Sequence, residues 1–293
     1  MGRHIDQFVL AGGGIGKRLP RHEKEKIAVR VGEGQEYENK LPVLAFPLGS
    51  MVAAGITKGT VIVAFGDGEV QPWLESIKDP KALDKKSKFV QRWLELCRAA
   101  TVDVVVQPQG DLEPYGTAVA LALGAKEGQT VAYSTADEFL LNSRGDDGVM
   151  RALVSGWRQS GLPNAMAYRV NAHTTAEDVD KFGFMLGDTK LERFVEKQEA
   201  AGLPLSLLNK VNISRGVAGP TVIATAKDLV RAQMEQIERE GVRNKEAYVT
   251  TAFETAAPEG VALIPAPGDY YDVGNPTAYA ATDQAVGRLI QAY

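Results

Sequence analysis

Short apolar runs alternate along the first half of the chain with longer segments whose apolar residues recur at helical spacing. Gln7–Leu10 (QFVL) reads as a buried strand running straight into glycines, and Thr60–Phe65 (TVIVAF) reads as a second strand. The second strand follows a helix ending at Ala53-Ala54, with Gly55 as its C-cap. Val102–Val106 (VDVVV) predicts a third strand after a helix around Phe89–Ala99. The alanine- and leucine-rich Thr117–Ala125 predicts a helix. Thr130–Ser134 (TVAYS) then predicts a strand that ends at Thr135-Ala136-Asp137. Apolar strands alternating with helices predict an α/β fold, a mainly parallel sheet flanked by helices on both faces.

The second half is less regular. Asn164–Val170, Gly183–Leu186 and Arg193–Val195 predict strands of a smaller, more mixed region. A polar helix is expected over Ala226–Glu240 and a closing helix over Thr277–Tyr293. No Pro- or Gly-rich linker and no repeat divides the chain, so a single domain over residues 1–293 is expected. The lysine-rich stretch Lys78–Lys88 reads as a solvated loop and helix start.

Composition narrows the classes. With 44% apolar residues in 293, the chain can bury a large core. A formal net charge of -4 gives no basic footprint for nucleic acid, so an anionic ligand must be met by a local cluster. The single Cys97 excludes a disulfide framework and a cysteine-rich zinc site and fits a reducing compartment. The N-terminal apolar run is too short for a signal peptide, and no stretch approaches the ~18 apolar residues of a membrane span. A soluble, cytoplasmic protein that engages neither membrane nor nucleic acid is expected. His4, His22 and His173 lack metal-ligand spacing, and Ser50, Ser134 and Ser214 lack a base partner for nucleophilic catalysis.

The first chemical signal is LAGGGIGKRL, residues 10–19. Glycines let backbone N–H groups approach a polyphosphate, and the adjacent Lys17 and Arg18 can neutralise its charge. Two known phosphate loops fail here. The dinucleotide fingerprint needs glycine at Lys17 or Leu19, and a Walker A loop needs glycine at Ala11 and Ser or Thr at Arg18. An NAD(P)-dependent oxidoreductase is thereby disfavoured.

The loop resembles the signature loop of the sugar-1-phosphate nucleotidyltransferases, which build nucleotide sugars on a Rossmann-like sheet. It is one residue longer here, because Gly14 and Ile15 stand where the family has one residue. The resemblance assigns the nucleotide to Leu10, Ala11, Gly12, Gly13, Gly14, Gly16 and Lys17, with Arg18 on the triphosphate. Lys26 is the best match to the family's downstream lysine, with Lys24 and Lys40 as rivals, and Ile27 replaces the usual proline. Further along, Gln107 in VVVQPQG resembles the glutamine that reads the base, and Gly116-Thr117-Ala118 resembles the motif lying against it. Asp137 in TADEF and Asp272 in YYDVGNP match the two magnesium-binding aspartates, with Asn275 in place of Ser or Thr. Phe182-Gly183-Phe184 and Phe194–Gln198 (FVEKQ) match the sugar-phosphate segments. There Gly183 and Glu196 would hold sugar hydroxyls and Lys197 the sugar phosphate. The next family segment matches Ala218-Gly219, with Asn212 as an alternative. Ala247–Thr251 resembles the stretch before the last core strands.

The resemblance implies a nucleotide-binding half over 1–145 and a sugar-phosphate-binding half over 146–293, with no room for a C-terminal β-helix domain. It implies Mg²⁺ as cofactor, a nucleoside triphosphate and a sugar 1-phosphate as substrates, and a homo-oligomer, since members commonly form dimers or tetramers. The implied reaction is in-line attack of the sugar phosphate on the α-phosphorus, with Arg18, Lys26 and Lys197 as catalytic cations. Gln107 favours UTP or dTTP with a hexose 1-phosphate such as glucose 1-phosphate. TADEF and FVEKQ also resemble mannose-1-phosphate guanylyltransferases, and a non-catalytic sensor of nucleotide sugars is the alternative from another class.

Overall fold

A computed structural model of the protein describes residues 3–13, 26–64, 68–171, 173–242 and 246–293. In chain order the first half contains β1 (Gln7–Ala11), β2 (Arg30–Val31), β3 (Leu41–Pro42), α1 (Ala45–Ala53), β4 (Lys58–Val63), α2 (Val70–Ser76), α3 (Lys88–Arg98), β5 (Thr101–Val106), α4 (Thr117–Gly124), β6 (Val131–Thr135) and β7 (Glu138–Leu141). The second half contains α5 (Val149–Ser160), β8 (Asn164–Val170), α6 (Ala176–Lys181), β9 (Phe184–Leu186), β10 (Arg193–Val195), α7 (Lys197–Ala200), β11 (Lys210–Ala218), α8 (Pro220–Glu240), α9 (Val249–Thr255), β12 (Val261–Pro265), β13 (Asp269–Asp272) and α10 (Pro276–Ala292).

The main sheet runs β10-β9-β11-β6-β1-β4-β5, and β8 pairs with both β11 and β12. Its centre is parallel, with β1 between β4 and β6 and β5 beyond β4. The alternation of side chains across a strand splits the core in two. Phe8 and Leu10 of β1 and Val61 and Val63 of β4 join one buried cluster with Phe46, Trp93 and Met150. Val9 and Ile62, facing the other way, join Ala118, Leu121, Val222 and Phe253. Helices therefore cover both faces, as the alternating pattern predicts. Among the described residues, no helix is long and apolar enough to cross a membrane.

The second half departs from expectation in several places, β12 and α9 among them. The polar helix begins at Pro220 rather than Ala226, since proline fits a first helical turn. Strand β11 was not predicted, because Arg215 and Gly216 interrupt its apolar pattern. Helix α5 was not predicted either, although Val149, Met150, Leu153, Val154 and Trp157 are buried at helical spacing.

A short antiparallel pair, β7 with β13, stands apart from the main sheet. Its anchor is a run of aromatic rings. Phe139 of β7 stacks on Phe46 of α1 with centroids 4.1 Å apart, and Tyr271 of β13 stacks on Phe139 at 5.3 Å. Phe139 is fully buried, so Phe139→Ala should cost about 3–5 kcal/mol, read as a lowered midpoint in urea unfolding. An unchanged midpoint would mean that the pair is held by its backbone ladder alone.

Candidate active site

The site lies at the carboxyl edge of the parallel strands, where open α/β sheets present their ligand crevice. Past the end of β1, the Gly12 N–H donates to the Ile62 carbonyl at 2.9 Å, and the Ala136 N–H donates to the Ala11 carbonyl at 2.9 Å. The glycine turn thus crosses between the ends of β4 and β6. Its tightness excludes larger residues. A Cβ on Gly12 would lie 2.4 Å from Ile27 Cδ1, and one on Gly13 would lie 2.4 Å from Gln107 Oε1. Ile27, standing where the family has proline, is fully buried beneath this turn.

The Leu10 side chain takes no part in lining the edge. It is 0% exposed and belongs to the core, so Ala11, Gly12 and Gly13 are the described residues that reach the edge. Gly14, Gly16, Lys17, Arg18 and the rival Lys24 lie outside the described residues. Lys26 opens a short turn, Lys26–Ala28, and Lys197 opens α7. The side chains of both also lie outside what is described.

Gln107 follows β5 and is buried, its N–H donating to Val63 O at 2.8 Å. Gln109 bridges it to the glycine turn, donating from Nε2 to Gly13 O at 3.2 Å and to Gln107 O at 2.9 Å. Gly116 has φ +126, a conformation that L side chains rarely adopt, and a Cβ there would meet Ala247 O at 2.3 Å. The Ala118 N–H donates to Ala247 O, and Val249 N donates to Thr117 Oγ1 at 2.9 Å. The Ala247–Val249 segment therefore docks on the start of α4. Buried Gln233 of α8 braces it from outside, accepting from Tyr115 N at 2.8 Å.

Asp137 follows β6 and Asp272 ends β13. Val273 N donates to Asp137 O at 3.3 Å, and Asp272 sits opposite Glu138 in the β7–β13 register, so the two aspartates are neighbours. Gly274 N donates to Asp272 Oδ1 at 2.6 Å. Glu138 was missed from sequence. It accepts from Thr135 Oγ1 at 2.8 Å and from the Tyr270 hydroxyl. Burial, and then the negative charge of Asp137, push the Glu138 carboxyl from about 4.5 to about 7. Burial and the Glu138 charge likewise raise the Tyr270 phenol well above its ordinary range.

The sugar-phosphate residues assemble on the adjoining strands. Gly183 faces Glu196, whose Oε2 lies 3.5 Å from where a Gly183 Cβ would be. Asn212 N donates to Gly183 O at 2.9 Å. Gly219 is a correction. Antiparallel pairing of Ala218 with Val131 carries Gly219 to the opposite, amino edge of the sheet. There it caps α8, its N–H donating to Asn164 Oδ1 at 2.8 Å. Asn212, not Gly219, is the β11 residue beside Gly183. Within the second half, the Arg169 guanidinium covers Phe182 at 4.9 Å and Tyr270 at 5.3 Å, which ties the Gly183 segment to β13.

No group of three or more His, Cys, Asp or Glu side chains among the described residues converges to hold a metal. Two adjacent carboxylates still fit Mg²⁺, which binds through one or two carboxylates with substrate phosphates and waters completing its shell.

No protein-family model matches the chain, and no curated protein does. Solved structures do. A UDP-glucose pyrophosphorylase complexed with UDP-glucose superposes with a TM-score of 0.73 at 18% identity, over 97% of this chain and 99% of that one. The UTP-bound enzyme of that type from Acinetobacter baumannii gives 0.68 at 16%, over 99% and 98%. The inositol-1-phosphate CTP transferase from T. maritima gives 0.62 at 10%, also over 99% and 98%. The fold is therefore the nucleotidyltransferase fold of these enzymes, along nearly the whole chain.

Two outcomes follow from this geometry. Gly116→Ala should lose about 3 kcal/mol or more, from a strained φ plus the clash with Ala247, and denaturant unfolding reads it directly. Glu138 has a raised folded-state value, so its stabilising contribution is complete below pH 4.5 and declines as pH rises to about 7. In EDTA, wild type should therefore lose stability relative to Glu138→Gln across that window. Parallel pH profiles would show that Glu138 titrates normally.

Proposed function

We propose that this chain is a sugar-1-phosphate nucleotidyltransferase. In this reading it joins UTP or dTTP to a hexose 1-phosphate such as glucose 1-phosphate and releases pyrophosphate. The observation that carries the reading is convergence at one sheet edge. The glycine turn with Gln107 and Gly116-Thr117, the Asp137–Asp272 pair, and Gly183 with Glu196 all meet there, in a fold shared with enzymes of this chemistry. Pairing with UTP and glucose 1-phosphate is supported by Gln107 and by neighbours whose bound molecules are UDP-glucose and UTP.

In this reading the base would lie beside the glycine turn, Gln107 and the Gly116 segment. An oxygen of the sugar phosphate, already an anion, attacks the α-phosphorus. One P–O bond forms as the α–β bridging P–O bond breaks, and pyrophosphate leaves with the electron pair. No side-chain base or covalent intermediate is required, so the protein contributes positioning and charge neutralisation. Lys197 would align the attacking phosphate, and Arg18, with Lys17 or Lys26, would neutralise the leaving group. Asp137 and Asp272 would hold Mg²⁺, which supplies charge neutralisation on the reacting phosphates. Glu196 would accept from the sugar hydroxyls at the Gly183 wall.

The test is Mg²⁺-dependent pyrophosphate release across UTP, dTTP, CTP, ATP and GTP, crossed with glucose, galactose, mannose and inositol 1-phosphates. Release that needs UTP or dTTP together with one hexose phosphate is expected. In that assay Asp137→Ala and Lys197→Ala, still folded, should lose on the order of 10²-fold or more in kcat/KM. Full turnover in both variants would remove the assignment, and release only with GTP and mannose 1-phosphate would replace its substrates.

A further inference from the structure

Arg215 is an anomaly in the middle of β11. Its side chain is completely buried, between a parallel core strand and helix α5. Its Nη1 donates to Asp147 Oδ2 at 2.9 Å, and its Nη2 donates to the backbone carbonyl of Glu138 at 3.0 Å. Its Nε is buried with no hydrogen-bond partner. The preceding Ser214 has φ +48, and the register of β11 on β8 slips between Asn212 and Arg215. The Asn212 side chain steadies this bulge by accepting from Ser214 N at 2.9 Å.

Stability does not explain the arrangement. A buried ion pair commonly does no better than apolar residues of similar volume. An orphaned buried donor costs about 1–3 kcal/mol, and a non-glycine residue in the left-handed region adds roughly 1 kcal/mol. Three local costs thus fall on two adjacent residues, Ser214 and Arg215. What they achieve is a fixed guanidinium beneath the residue next to Asp137. Bulges re-aim side chains in this way, and strain of this kind clusters at functional sites.

We propose that Arg215 is a positioning residue, oriented by the Ser214 bulge and by Asp147, that clamps the Glu138 carbonyl and thereby sets the Asp137 carboxylate for a divalent cation. The inference rests on the reading of Asp137 as a cation ligand. Asp147 is suited to its part. It is buried, and its other oxygen accepts from Val149 N at 2.9 Å at the start of α5. The clamp therefore ties the acidic turn to a helix rather than to a loop. A lysine at 215 would keep the charge but lose the forked geometry that reaches Asp147 and Glu138 together.

The test is Mn²⁺ binding to the nucleotide-free protein by electron paramagnetic resonance, with thermal unfolding recorded alongside. Three variants are compared with wild type. Asp137→Asn reports the ligand. Arg215→Lys keeps the charge. The double variant Arg215→Met with Asp147→Asn removes both charges while keeping the Val149 cap. Removing an outer partner of a metal ligand typically weakens affinity roughly 10–100-fold, and a loss in that range is expected for Arg215→Lys and the double variant, each still unfolding cooperatively. If Asp137→Asn weakens Mn²⁺ and the Arg215 variants bind as wild type does, Arg215 is only structural and the proposal is overturned. If wild type binds no Mn²⁺, or Asp137→Asn binds it normally, the reading of Asp137 fails and takes the clamp with it. Should the double variant not fold, Arg215→Lys alone decides.

Discussion

The hydrogen bond from the Ala136 N–H to the Ala11 carbonyl extends the β1–β6 ladder one step past the strands. The rest of the site depends on this step. It sets the glycine turn and the Asp137 turn side by side, at a spacing fixed by sheet geometry and not by either loop. Once the turns are paired, Gly12 must fit against Ile62 and Ile27, and Gly13 must fit against Gln107. Neither place has room for a side chain. That packing fixes the course of the turn, and under the proposed function its remaining backbone would face the base and the phosphates. Parallel strands contribute a further constraint, since each crossover returns its helix with the N-terminus at this same edge. Thr117 at the start of α4 is delivered there by the same topology that orders β5 and β6.

The second half is attached through different forces. Strands β9 and β10 reach the site by extending β11 beyond the end of β6, which brings Gly183 and Glu196 opposite the aspartates. The seam is closed by the ring stack Phe46–Phe139–Tyr271 that carries β7 and β13, while Arg169 over Phe182 and Tyr270 ties β13 to the Gly183 segment within the second half. Aromatic packing thus positions the acidic pair, and ladder hydrogen bonds position the glycines. The two sets of candidate residues converge because both mechanisms terminate at the ends of β6.

Much of the sheet was legible in sequence, for a physical reason. Strands β1, β4, β5 and β6 are short apolar runs bounded by glycine, proline or polar residues, and a run of that kind declares itself locally. Asp137 and Asp272 were legible only through their segments' resemblance to a family, since an aspartate at a strand end is otherwise a common turn residue. What stayed hidden depends on long-range pairing. Glu138 gains meaning from Tyr270, Arg215 from Asp147, and Tyr115 from Gln233, and no spacing along the chain announces such partners. Gly219 was misassigned because glycine is the expected signature of an unusual backbone. On β11 that backbone belongs to Ser214, whose strain Asn212 absorbs. Helix α5 was within reach, its buried positions following helical spacing, but flanking glycines and aspartates made the region read as irregular.

The electrostatics of the edge carry the argument one step further. Asp137, Glu138 and Asp272 crowd one side of a site read here as the seat of a polyanion. Glu138 shows what burial and then the Asp137 charge do together, its carboxyl being held up near 7 although Arg215 opposes the shift. A triphosphate approaching these groups would be repelled unless positive charge came between them, and among the described residues Arg215 is committed to Asp147. The acidic edge and the phosphate-cradling glycine turn are therefore compatible only as two sides of one arrangement, with cations in the middle. Under the proposed function, the same charges that would make the site hostile to the substrate alone would make it selective for the substrate together with its counterion. The chain's overall charge of -4 acts in the same direction, because it gives an anion no net long-range attraction and leaves its capture to local geometry.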